Sequence, residues 1–212
     1  ILVGVVILGI AIFLIIYFST KKKEDGGSIH VVHELNEDNP ISILNADNLG
    51  EAYYEIKNVD LKEILPASTR ILEERNYNIN KNIFTFQSNE KKEGRIKFEI
   101  KFNKKIELLD RMFQNIQSLI SADFSGFISE NIKSMNSVFK GCTKLETVNF
   151  TNFNSKNVKS MDNTFENCEQ LIELDLSSFE TPKLNSMKST FKDCINLAFL
   201  NLDNFVLNNV EV

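Results

Sequence analysis

Few residues in this 212-residue chain have types and spacings that could do chemistry. The two histidines, His30 and His33, form an H-x-x-H pair, which on a helix would offer two metal ligands. A zinc site needs three or four ligands, and no nearby Cys completes this one, so the pair reads as unliganded, with no metal site. Cys142, Cys168 and Cys194 recur every 26 residues. In stacked copies their Cα atoms would lie about 5 Å apart, within disulfide range. A side chain repeated at one inward-facing position is packing, however, and free Cys is among the most buried residue types, so a reduced, buried ladder is expected. Two histidines leave little material for a Ser/His/Asp or Cys/His nucleophile, and no glycine-rich phosphate loop is present. These residues point to no catalytic site, no cofactor and no enzyme.

Recognition chemistry has better candidates. Thr147 and Asn149, then Glu173 and Asp175, then Phe199 and Asn201, stand between apolar residues that alternate with them, so they are expected to point to solvent as partner-binding residues. Phe199 departs most from a merely solvated polar face, because an exposed aromatic is a contact anchor. Asn149 opens the sequon Asn149-Phe150-Thr151 and is a glycosylation candidate in a luminal or extracellular setting.

The elements that would position these residues come from an internal repeat. A shift of 26 aligns Met135 with Met161 and Met187, Phe139 with Phe165 and Phe191, and the three cysteines with each other. It also aligns Leu145 with Leu171 and Leu197, and Phe153 with Phe179 and Phe205. Three copies result, 135–160, 161–186 and 187–212, preceded by a degenerate one at 109–134. Within each copy the pattern L-x-x-L-x-L, as in Leu171, Leu174 and Leu176, predicts a strand stacked in parallel on its neighbours. Met161, Phe165 and Cys168, at spacings of four and then three, predict a turn or two of helix on the return path. The copies run to residue 212 without a changed, polar closing copy, so further chain or another cover over Phe191, Leu197 and Leu202 is expected.

The repeats follow a different N-terminal half. Residues 1–18 carry no charge, and Lys21, Lys22 and Lys23 follow. Eighteen apolar residues make about 27 Å of helix against a hydrocarbon core of about 30 Å. A signal-peptide core runs to only about 7–15 residues, so a single transmembrane helix over residues 1–20 is expected. Residues 21–67 read as a juxtamembrane linker and irregular segment. In residues 68–108, Ile96, Phe98, Ile100 and Phe102 alternate with Arg95, Lys97, Glu99 and Lys101, which predicts a strand with one wet side. Residues 83–86 are its expected partner in a β-hairpin that enters and caps the repeats. The net charge of −5 and the lack of a basic stripe argue against a nucleic-acid partner.

The string SMDNTFENCEQLIELDLSSFET, with SMNSVFKGCTKLETVNFTNFNS and SMKSTFKDCINLAFLNLDNF, resembles the BspA-like leucine-rich repeats, a surface-protein class of bacteria, mycoplasmas and several protists. The resemblance covers residues 109–212 and implies a non-catalytic protein acting in adhesion or assembly. Thr164 and Thr190 depart from it where a second Met is common. The expected fold is an α/β leucine-rich-repeat solenoid with a parallel strand stack, preceded by the hairpin and the membrane helix. The expected function is binding of a protein or glycan at a membrane surface. The alternative is an accessory structural subunit of a larger membrane complex, with residues 1–20 packed against other transmembrane subunits. The positive-inside rule puts the repeats in the cytoplasm, whereas the resemblance puts them on the extracellular or luminal side, which is the reading adopted.

Overall fold

The computed structural model of the chain describes residues 26–35, 41–45, 54–58, 83–86, 94–102 and 104–210. Strand β5, Gly94–Phe102, buries Ile96, Phe98, Ile100 and Phe102 on one face, as its alternation predicts. Both of its edges are bonded antiparallel, to β1 (Ser28–Leu35) and to β3 (Tyr54–Asn58). The expected hairpin therefore does not form: β5 has no edge left for β4 (Ile83–Phe86), which pairs with β2 (Ile41–Asn45) instead. Strand β1 also alternates, burying Ile29, Val31 and His33. It is preceded by Gly26 and Gly27, which a linker reading leaves unexplained. A Cβ on Gly26 would sit 2.2 Å from the Lys104 carbonyl oxygen, and Gly27 has φ +74° with the Gly126 carbonyl oxygen 2.3 Å from any added Cβ. Only glycine allows this approach.

Through β1 the N-terminal strands join the repeats. The free edge of β1 pairs antiparallel with β6 (Leu119–Asp123), and β6 pairs in parallel with β7 (Thr147–Asn149), Ser121 opposite Thr147. Bridges from Leu108 to Ser134, Ser160 and Ser186 hold successive copies at the 26-residue register. The continuous strand stack expected from the sequence is interrupted, however. Strands β8 (Glu173–Asp175) and β9 (Phe199–Asn201) form a separate two-stranded sheet, and no ladder pairing joins β7 to β8 among the described residues. The interruption falls where the inward column changes from the stacked rings of Phe124 and Phe150 to Leu176 and Leu202.

The α/β solenoid expectation also fails on the return path, since the described residues contain no helix. Met161, Phe165 and Cys168 are buried as the spacing requires, but consecutive turns present them. Every fourth residue there has a left-handed backbone: Asn163 (φ 55°) and Asn167 (φ 60°), preceded one copy earlier by Ser137 and Gly141. Left-handed residues cannot continue an α-helix, and Asn, Asp and Gly tolerate them best. Alternate N–H groups, those of Thr164, Glu166 and Cys168, bond three residues back at 3.1–3.2 Å. The N–H groups between them leave the copy altogether.

Membrane attachment and single-pass localisation are likewise not supported. No helix among the described residues is long and apolar enough to cross a membrane, and residues 1–20 lie outside the described residues. The side assigned to the repeats falls with that expectation. The irregular reading of residues 21–67 meets strands at Ser28–Leu35, Ile41–Asn45 and Tyr54–Asn58, preceded by Gly26 and Gly27, and the rest of that range lies outside the described residues.

Two aromatic columns run through the core. Phe113, Phe139, Phe165 and Phe191 stack nearly flat with centroids 5.4–5.9 Å apart, and Phe153, Phe179 and Phe205 do the same at 5.2–6.0 Å. Phe165 is fully buried between two neighbours. Phe165→Ala is therefore expected to cost about 3–5 kcal/mol in denaturant melts. A loss below about 1 kcal/mol would show that the column is not packed.

His33 lies in the same core. Its Nδ1 is 3.1 Å from the Ser118 hydroxyl, its ring meets Phe98 edge-on, and its Nε2 has no hydrogen-bond partner among the described residues. Burial lowers its pKa from 6.5 to about 3. The unfolded chain thus takes up the proton first, and stability is lost as pH falls from 6.5 toward 3, by about 1.4 kcal/mol per unit. The charged groups on the flanking strands, Glu34 with Lys144 and Arg95 with Glu146, are already paired. Between pH 6.5 and 5 the melting temperature should fall, and His33→Phe should flatten that fall. An equal slope in the variant would contradict the assignment.

Candidate functional site

The residues expected to face a partner lie on three short strands and are placed as their alternation requires. Thr147 and Asn149 flank the inward Val148 on β7, Glu173 and Asp175 flank the buried Leu174 on β8, and Phe199 and Asn201 flank Leu200 on β9. All are exposed except Asn201, which is half-buried. The register places Glu173 directly beside Phe199 and Asp175 beside Asn201. Thr147 and Asn149 are set apart from them by the interruption between β7 and β8, and pair instead with Ser121 and Asp123.

Half of this set also does local structural work. Asn149, Asp175 and Asn201 each end a strand, and each side-chain oxygen accepts the backbone N–H two residues on, from Thr151, Ser177 and Asp203 at 2.9–3.0 Å. These are Asx turns, which turn the chain out of the strand. The Asn149 amide further donates to Asp123 at 3.0 Å, and the Thr151 hydroxyl lies 2.7 Å from its oxygen. The sequon amide is thus exposed but engaged. Hydrogen bonds from Ser177 hold the Asp175 carboxyl below its usual range, so it is an anion throughout the neutral range. Thr147, Glu173 and Phe199 have no such duty.

Two exposed apolar residues that precede these strands escaped the sequence reading. Ile172 is 61% exposed and Ile195 is 73% exposed, as Phe199 is 54% exposed. The Ile172 carbonyl accepts the N–H groups of Ala198 and Phe199 at 2.8 and 3.2 Å, which joins its backbone to the start of β9. The 26-residue alignment contained the signal: Ile172 stands where the preceding copy has Glu146, and Ile195 where it has Glu169.

The thiols and His33 are engaged in packing, while His30 is exposed. Cys142, Cys168 and Cys194 are free, and their thiols donate to the carbonyls of Phe113, Phe139 and Phe165 one copy earlier, at 2.9–3.3 Å. Burial raises the thiol pKa values. His30 and His33 point to opposite faces of β1, so they cannot share a metal, and no group of three or more metal-ligating side chains occurs among the described residues. Glu166 is buried between Lys140 and Lys192, whose ammonium groups lie 2.7 and 3.3 Å away and hold its carboxyl below the usual range despite burial. This is a charge clamp across three copies.

Residues 107–211 match a family model described as Mycoplasma protein of unknown function, DUF285. The match spans just under half of the chain and its description carries no activity. No curated protein and no solved structure matches the chain.

If Phe199 serves contact and not packing, Phe199→Ala should leave stability within about 0.5 kcal/mol, whereas Leu174→Ala, on the neighbouring strand but 1% exposed, should cost about 2–5 kcal/mol. Parallel thermal melts of the two variants check this. A comparable loss in both would place Phe199 in the core.

Proposed function

We propose that the chain is a non-catalytic repeat protein that binds a protein or glycan partner with the outward strand face of its last two described copies. The observation carrying this reading is the exposure of Phe199 at 54%, on a strand whose inward neighbours are packed. Adjoining copies fill the column of Phe199 with Glu173 and Thr147, residues suited to water, so the aromatic is a local exception. Apolar side chains grouped on a surface mark interaction sites more often than singly scattered ones do. Resemblance to the BspA-like repeats, whose members act in adhesion, points the same way. The engagement of the thiols and of His33 in packing supports a role without catalysis.

Peptide and glycan arrays probed with the fluorescently labelled chain provide the test. At least one ligand should be retained, and Phe199→Ala should weaken it at least about tenfold, or about 1.4 kcal/mol, with an unchanged melting temperature. Ligands held equally by the variant, or no ligand of either class, would contradict the reading.

A further inference from the structure

Where apolar side chains reach the surface of the repeats, the acidic side chains lose their counterions. In the copy before, Glu146 is bonded to Arg95 at 2.6 Å, and Lys144 pairs with Glu34. One copy on, Glu169 and Glu173 have no ion-pair partner among the described residues, and Asp175 meets only Ser177. Glu173 lies beside Phe199 in the strand register and next to Ile172 in the chain, Asp175 ends the same strand, and Ile195 stands at the position of Glu169 one copy on. The Asn196 amide bonded to the Glu169 carbonyl at 2.6 Å joins the two copies there. Glu169 also lines an open depression of about 370 Å³ together with Lys144, Glu34 and Glu146, the last two already paired with Lys144 and Arg95.

We infer that this face takes a protein segment carrying lysine or arginine around an aliphatic or aromatic anchor. The inference rests on the reading that the face binds a partner, and narrows the class of that partner. A glycan could use the ring of Phe199 and the polar groups beside it, but the exposed Ile172 and Ile195 add aliphatic surface that sugar hydroxyls do not match. Lysine and arginine match both features at once: the apolar stem lies along Ile172 while the charged head reaches Glu169 or Glu173. Among the described residues these carboxylates have no cationic partner, so an incoming cation gains an interaction without breaking one. A net charge of −5 steers basic segments toward the chain.

Panning a displayed library of random dodecamer peptides on the full chain tests this. The leading peptides should carry two or more Lys or Arg beside Leu, Ile or Phe. Their dissociation constants, measured by calorimetry, should rise at least about tenfold with Phe199→Ala and about as much with the double variant Glu169→Lys/Glu173→Lys. The double variant Glu169→Gln/Glu173→Gln should show a smaller loss, and added salt should weaken wild-type binding. Neutral or acidic leading peptides, failure to recover any peptide, or full affinity in the charge-reversed variant overturns the inference. Peptides lost with Phe199→Ala but kept by the charge-reversed variant leave the binding face standing and sink only its basic partner. Affinity untouched by every variant sinks both. Thermal melts of each variant exclude unfolding as the cause of any loss.

Discussion

Everything in the repeat half depends on one kind of hydrogen bond, from the backbone N–H of one copy to the carbonyl of the next. Leu109, Arg111, Phe113 and Asn115 donate to Ser134, Asn136, Val138 and Lys140, and the following two copies repeat the set, all at 2.7–3.0 Å. The left-handed residues, Arg111 and Asn115 and their equivalents, make this possible because they rotate alternate N–H groups out of the copy. In a helix those donors would be used internally, and side-chain contact alone would hold neighbouring copies. Because the bonds pull the copies together, they also bring the phenylalanine columns into flat stacking and the thiols onto the carbonyls below them.

A ladder with direction leaves unpaired groups where it begins, and buried backbone groups must be satisfied. In the first copy the carbonyls of Met112 and Gln114 occupy the positions that later copies fill with Val138 and Lys140, but no earlier copy donates to them. Asn45 does so. Its backbone N–H bonds the Met112 carbonyl at 2.7 Å, and its side-chain amide bonds those of Gln114 and Arg111 at 2.9 and 3.0 Å. On the strand side β1 covers β6, with the Glu34 N–H on the Ser118 carbonyl. The strands β1 and β2 thus act together as an N-terminal cap, and the degenerate first copy packs on the N-terminal strands instead of on an earlier copy, as when Phe127 meets Phe102 of β5 edge-on.

The inward columns were legible in the sequence because period and residue type agree: Met135, Phe139, Cys142 and Leu145 recur with the spacing that the bridges then show. The helix was misread because spacings of four and then three suit a helical face and two successive turns equally. The deciding residues are the polar ones between, Asn163 and Asn167, whose tolerance of left-handed backbone is a weaker sign than a hydrophobic column. Strand β5 was legible as a strand but not its neighbours, since alternation reveals a wet and a dry face without saying which chain takes either edge. Phe199 stood out among polar neighbours. Ile172 and Ile195 did not, because an aliphatic side chain is read as core until its exposure is seen.

Scalar couplings across hydrogen bonds, measured by NMR on the isotope-labelled chain, test the central claim most directly. The account predicts a coupling between the Phe139 amide nitrogen and the Thr164 carbonyl carbon, and likewise between Phe165 and Thr190. Couplings from Phe139 and Phe165 to the carbonyls four residues before them would mean that the return path is helical. The copies would then be held by side chains alone, which contradicts the account.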